Sequence, residues 1–328
     1  MVNYRSIIII SLFSALVASV SIFAFFLELK SEDVLDEIES EVIEESHFAK
    51  MSYYYLQDMK PKMSFECKQL NIYGEVDISF IDPIGEFISQ DGNKLEFQSQ
   101  RGIYSKINET LSLKGDVILK EKDSIYQSQS LFYQALKKQI DADGLVSVAL
   151  KDPKTLDLIK LNSDKLLAQP YSKYSLFTGN VNGSIERARK FEGKLYLKAA
   201  QVEAKLSESK VGIEGDVWIK RNNIEVKAGR GEIFLENFNK TLKYFAFYDD
   251  IKLVEQTPKF KRRAWAETIE GVTSQNKIVL SGAPRVEQGR DVIRGYRITL
   301  RENAELIEVE DTQSVFELKD ENKKKKGN

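Results

Sequence analysis

The sequence predicts an all-β protein: a long stack of hairpin repeats of jelly-roll type with an apolar groove, preceded by one N-terminal membrane-spanning helix. Three observations predict it. The motif apolar-x-apolar-x-Gly-x-apolar-x-apolar returns along most of the 328 residues, a second half-motif lies between its copies, and an uncharged apolar run stands near the start of the sequence. The clearest copies are Leu70, Ile72, Gly74, Val76, Ile78; Leu111, Leu113, Gly115, Val117, Leu119; and Val211, Ile213, Gly215, Val217, Ile219. Two more centre on Gly144 and Gly282, and weaker ones on Gly179 and Asp249, so that centres lie 29 to 41 residues apart. A period in this range marks a repeat architecture. Alternation of period two marks a strand with one buried face, and a glycine inside it marks a bend, a bulge or a close backbone approach. The half-motif, apolar-x-small, gives each unit a second strand: Phe97-Gln98-Ser99, Tyr126-Gln127-Ser128, Leu161-Asn162-Ser163, Leu197-Lys198-Ala199, Val226-Lys227-Ala228 and Ile293-Arg294-Gly295.

Taken in order, residues 1–6 read as a cytoplasmic stub. Residues 7–27 hold no charge, and at about 1.5 Å per residue they span roughly 30 Å, the thickness of the hydrocarbon core. The run ends Phe25-Phe26-Leu27-Glu28, where a signal peptidase needs small residues, so an uncleaved anchor is expected. Arg5 before the span and acids after it place the bulk of the chain outside the cytoplasm. Residues 28–60 read as an acidic juxtamembrane spacer, helical where Val34, Leu35, Ile38, Val42 and Ile43 make a narrow stripe. It serves either as a solvated spacer or as a helix that docks on a membrane partner. Residues 65–316 hold the repeats. With two strands per unit, about sixteen strands make two facing walls of about eight, a stack of roughly 40 Å at about 4.8 Å per strand. Its ends are unpaired edges, suited to strand addition. Residues 317–328, with the basic run Lys323 to Lys326, read as a disordered tail.

The composition excludes several functions. With 48 basic and 50 acidic residues there is no basic excess for nucleic acid. His47 is the only histidine, which rules out histidine triads and multi-histidine metal sites. Gly229-Arg230-Gly231 lies inside a strand pattern and reads as a bend rather than a phosphate cradle. Asp249-Asp250 occupies a repeat centre and reads as a turn. The Gly-Asp pairs at 115–116 and 215–216 are too sparse for calcium-binding repeats. Cys67 is the only cysteine, so no internal disulfide is available, and it reads as a small apolar residue. No catalytic residue, metal or cofactor is expected, and the chain is not expected to be an enzyme.

The segment Ile278-Val279-Leu280-Ser281-Gly282-Ala283-Pro284-Arg285-Val286, followed by Val292 to Ile298, resembles the OstA-type repeat of bacterial lipopolysaccharide-transport bridge proteins. Leu113 to Leu119 with Tyr126 to Leu131 resembles the same repeat. A stub, one span and then repeats is similar to the inner-membrane-anchored, LptC-type members, although the repeat region is longer, approaching an anchored unit joined to a soluble bridge unit. The resemblance implies a V-shaped groove that shields lipopolysaccharide acyl chains. It also implies docking to the membrane subunits of an ABC-type extractor at the N-terminal end, and to a soluble bridge protein or an outer-membrane translocon at the C-terminal end. The groove is expected to be lined by Leu113, Val117, Leu119, Ile213, Val217, Ile219, Phe245, Phe247, Ile251, Ile278 and Leu280. Partners are expected to join at Ile307, Val309 and Val315, which flank a degraded centre at Asp311. The rival expectation is a structural or adhesive periplasmic repeat protein with a closed core, because groove-lining and core-filling residues look alike in sequence.

Overall fold

The computed structural model describes residues 46–57, 59–73, 77–88, 92–152, 155–188, 193–236, 242–272, 275, 277–301, 304, 306–310 and 313–315. The stub, the span over 7–27, the stripe over 34–43 and the tail over 317–328 lie outside the described residues. Among the described residues no helix is long and apolar enough to cross a membrane.

Among the described residues the strands join into one 22-stranded antiparallel network. It opens with β1 (Ser46–Gln57) and β2 (Lys60–Tyr73), then the short β3 (Asp77–Ile81), β4 (Ile84–Ile88), β5 (Lys94–Gln98) and β6 (Arg101–Ser105). Long strands follow: β7 (Thr110–Glu121), β8 (Ser124–Gln134), β9 (Gln139–Lys151), β10 (Leu158–Gln169) and β11 (Tyr174–Glu186). They continue as β12 (Leu195–Lys205), β13 (Lys210–Arg221), β14 (Ile224–Leu235), β15 (Leu242–Gln256) and β16 (Lys261–Val272). The described residues end in β17 (Lys277–Ser281), β18 (Arg285–Gln288), β19 (Asp291–Arg294), β20 (Arg297–Arg301), β21 (Ile307–Glu310) and β22 (Gln313–Val315).

The short strands show how the network divides. β2 pairs with β3 along Gln69–Tyr73 and with β4 along Met63–Glu66. β3 then pairs with β6, and β4 with β5. β7 rejoins the two tracks, its first half on β6 and its second on β5. The same split recurs at the far end, where β16 holds β17 on one half and β18 on the other. Two walls result, and each long strand contributes to both. Wall A takes the half of β7 before Gly115, and wall B the half after it.

The crossing point is the repeat centre. Gly115 has φ +77° and Asp116 +48°; the pair repeats at Gly144-Leu145, Gly179-Asn180, Gly215-Asp216 and Gly282-Ala283. Two consecutive left-handed residues turn the strand, and they face a single residue of the neighbour, so the register shifts between Lys114 and Val117. Asp and Asn tolerate this conformation better than other side chains, which accounts for Gly-Asp and Gly-Asn. At the weak centre Asp249 itself adopts φ +69°, and the glycine has moved to the adjacent strand: a Cβ on Gly229 would lie 2.9 Å from that of Asp249. The half-motif supplies the other side of the corner. Ser99, Ser128 and Ser163 are buried there, and each hydroxyl donates to the carbonyl two residues on at 2.8 Å. Ala199, Ala228 and Ala266 take the same place.

Two expectations need correction. The spacer does not extend to residue 60: the β region begins at Ser46, and β1 pairs along its whole length with β2. β1 turns at Lys50 (φ +52°) without a glycine, so no motif marks it. The centre of the copy read at Gly74 lies outside the described residues; on either side of it Tyr73 pairs with Asp77. Finally, because each strand crosses both walls instead of belonging to one, each wall is about 17 layers deep and the stack about 80 Å long at about 4.8 Å per layer.

Candidate functional site

The corners form a common spine, and the hairpin connections of the two walls form two rims. Between the walls lies an apolar interior to which both halves of every long strand contribute. Beside the spine are Leu113 and Val117, Ile213 and Val217, and Phe247 and Ile251, all buried. Leu119, Ile219, Ile278 and Leu280 are also at most 9% exposed, while Phe245 is partly buried. All eleven residues expected to line a groove therefore face the interior. The expected partner residues separate: Ile307 and Val309 lie on β21, which extends wall A through β20, and Val315 lies on β22, which extends wall B through β19.

The interior is not uniform along the stack. In the N-terminal third it is filled by aromatic rings. Phe65 lies 4.5 Å from Phe80, and Phe87 lies 6.0 Å from Tyr104 and 5.5 Å from Tyr133. The Tyr104 hydroxyl is buried without a hydrogen-bond partner among the described residues, and burial pushes its phenol well above the usual range. Cys67 is buried at this end, its thiol also raised by desolvation. A mouth cavity of about 260 Å³ sits over the filled section. Glu121 and Lys122 of one rim, Lys138 and Tyr171 of the other, and Tyr133 and Ile140 line it. Burial raises the Glu121 carboxyl there.

From β10 to β15 the rims change character. Leu161, Leu195, Leu197 and Ile224 of wall B, and Val211, Ile233 and Phe245 of wall A, are partly exposed apolar lips packed on the core; among the described residues, partly buried apolar residues packed on it recur only on the end strands, as Met51, Tyr53, Tyr55 and Ile72 and as Ile307 and Val309. Glycines narrow the walls here. A Cβ on Gly231 would lie 2.2 Å from the Phe247 ring, and one on Gly271 would lie 2.1 Å from the Phe245 ring. Each ring lies across the neighbouring strand where a side chain is missing. This explains the second glycine of Gly229-Arg230-Gly231; the first sits at the bend, as expected.

Polar clasps join the walls on either side of the lips. Toward the N-terminal end, Lys62 of β2, buried on wall B, donates to Glu109 of a wall A connection at 3.1 Å. Toward the C-terminal end, Arg262 of β16 is 0% exposed; it pairs with Glu255 of its own wall and donates across to the wall A carbonyls of Arg301 (3.1 Å) and Ala304 (3.2 Å). The sequence reading missed both the lips and the clasps. The lips share the parity of the repeat centres, and Leu197 and Leu161 belong to the half-motif itself, so that signal was present. The clasps join residues that no periodicity relates.

The arrangement is thus a two-walled apolar cleft with a spine at its base, a packed N-terminal third, apolar lips along its middle and a polar closure on each side of them. Compared with known proteins, residues 196–306, from β12 past β20, match the family model described as LptA/(LptD N-terminal domain) LPS transport protein. Among solved structures, LptH, the LptA homologous periplasmic component of the conserved lipopolysaccharide transport device from Pseudomonas aeruginosa, matches at 14% identity with a TM-score of 0.35, covering 38% of this chain and 95% of that one. No curated protein matches the chain.

Proposed function

We propose, from a chain whose residues 196–306 match the LptA/(LptD N-terminal domain) LPS transport protein model, that this protein is an inner-membrane-anchored periplasmic component of the lipopolysaccharide export bridge. It shelters acyl chains in the cleft between its walls and passes the lipid toward the outer membrane. The observation that carries the reading is the stretch of apolar lips between β10 and β15, bounded by the Lys62–Glu109 clasp and by the clasp of Arg262 on the Arg301 and Ala304 carbonyls.

The energetics suit a carrier. Burial contributes about 0.8 kcal/mol per methylene, so one chain of roughly ten methylenes gains about 8 kcal/mol before ordering costs. No specific polar contact is needed to hold it. Shifting a chain along a smooth apolar cleft exchanges like contacts for like, so net movement needs an outside energy source. On this reading that source is an ABC-type extractor at the N-terminal end, and the chain itself is not an enzyme. β1 and the pair β21 and β22 are the terminal strands, where the extractor subunits and the next bridge protein or translocon would join. Residues 7–27 provide the anchor.

The test is mass spectrometry of lipid that copurifies with the full chain extracted from an envelope in a polyoxyethylene detergent, with the N-terminus sequenced on the same sample. Lipopolysaccharide in near-stoichiometric amount and an N-terminus before residue 7 are expected. Lipid-free protein would favour the closed-core structural reading, and an N-terminus near residue 25 would remove the anchor.

A further inference from the structure

The outer face of wall B carries a feature unrelated to the cleft. Directly opposed positions on successive strands form a straight row: Lys198 faces Trp218, Trp218 faces Lys227, Lys227 faces Lys252, and Lys252 faces Trp265. The row continues through Arg285 to Arg294. It holds both tryptophans of the chain and no carboxylate. Toward the N-terminal half the same row is uncharged, running back through Asn182, Asn162, Ser147 and Gln127.

Like charges directly opposite one another destabilise a sheet, and the row contains two such pairs, Lys227 with Lys252 and Arg285 with Arg294. Lys227, Lys252 and Arg294 make no ion pair among the described residues. The indoles are held in place: Lys198 lies 5.5 Å from the Trp218 ring centre and Arg285 lies 5.4 Å from that of Trp265, while Trp218 Nε1 donates to Glu225 at 2.8 Å. A depression of about 600 Å³ lies over Lys198, Trp218, Lys227 and Lys252, with Gly229 in its floor and Asp216, Asp249 and Asp250 at its edge, of which Asp249 is paired with Arg230 at 3.1 Å.

We infer that this row binds a linear glycan carrying acidic groups, laid along the stack axis on the outside of the wall. The cations take its carboxylates or phosphates, and the indoles offer amphipathic platforms to its rings. Asp216 and Asp250, which as carboxylates only accept hydrogen bonds, take its hydroxyl protons. That last pairing discriminates. A polyanion without hydroxyls meets the flanking acids as repulsion, and so does a flat anionic membrane. An extended acidic peptide repeats its same-face carboxylates every 6.6 Å or so, out of step with strands spaced at about 4.8 Å. The row faces away from the cleft, so its occupant is bound independently of any lipid between the walls.

The full chain in polyoxyethylene detergent tests this, with the two indoles as intrinsic reporters. Their fluorescence is titrated with a galacturonic acid decamer, a phosphorylated mannan oligomer, a neutral maltodextrin of similar length, polyphosphate, oligothymidylate and phosphatidylglycerol vesicles. Saturable binding of one or both acidic glycans is expected, weakened at least tenfold by raised salt and by Lys227→Gln with Lys252→Gln; which oligomer binds identifies the acid. The paired substitution should also raise the unfolding midpoint, because it removes the opposed charges. The inference is overturned by no saturable response to either acidic glycan, by unchanged affinity in the double variant, or by tighter binding of polyphosphate, oligothymidylate or vesicles.

Discussion

At the residue scale, the corner decides whether a strand can serve both walls. Gly215 has φ +76°, and a Cβ there would lie 2.6 Å from that of Ala200. The left-handed conformation costs a side-chain-bearing residue about 1–2 kcal/mol, and the contact adds to that. Gly215→Ala should therefore lower stability in urea by about 2 kcal/mol or more; a loss below about 0.5 kcal/mol would mean that the corner relaxes freely. Tyr104 points the other way. Its hydroxyl is buried without a partner, at a cost of about 1–3 kcal/mol, so Tyr104→Phe should stabilise the protein by about 1 kcal/mol. Burial, aided by the nearby Tyr55, Glu109 and Tyr53, raises this phenol in the folded state. The unfolded chain releases the proton first, near pH 10, so stability associated with Tyr104 is present below that pH and is lost as pH rises above it. The Phe variant should show a flatter alkaline limb in its stability profile.

At the scale of elements, the clasps carry the clearest prediction. Arg262 and Glu255 form a buried pair, and removing one partner of such a pair costs about 3–5 kcal/mol because the other charge is stranded. Arg262→Met alone should lower the unfolding free energy measured in urea by that amount, and adding Glu255→Leu should recover most of it. A single variant as stable as the parent would show that the clasp is not a closure. The elements also show what the sequence could reveal. The corners were legible because a positive φ demands glycine and recurs with the period of the stack. The crossing of each strand between walls was not, since alternation keeps one parity on both sides of the bend: Leu111 and Leu113 read continuously with Val117 and Leu119. β1 was missed because Lys50 turns it without a glycine. The clasp residues Lys62 and Glu109 sit 47 positions apart, and only the folded rims bring them together.

At the scale of the whole molecule, the interior was legible as a set of residues but not as a shape. Phe97 and Leu197 both open a copy of the half-motif, yet one is buried at the filled end and the other forms part of a lip, because exposure depends on what fills the interior at each depth. The N-terminal rings fill it to the rims, whereas from β10 to β15 inward apolar residues at the rims stay partly exposed. The cleft should thus take up acyl chains in its middle and not along its full length. The most direct measurement places a photo-crosslinking residue at Leu197 or Ile233 on the lips, at Leu111 in the filled third, and at Lys220 on the outer face, in cells that make lipopolysaccharide. Adducts are predicted at Leu197 and Ile233, with little or none at Leu111 and Lys220. No adduct at the lips, or equal yields inside and outside, would contradict a lipid-carrying cleft.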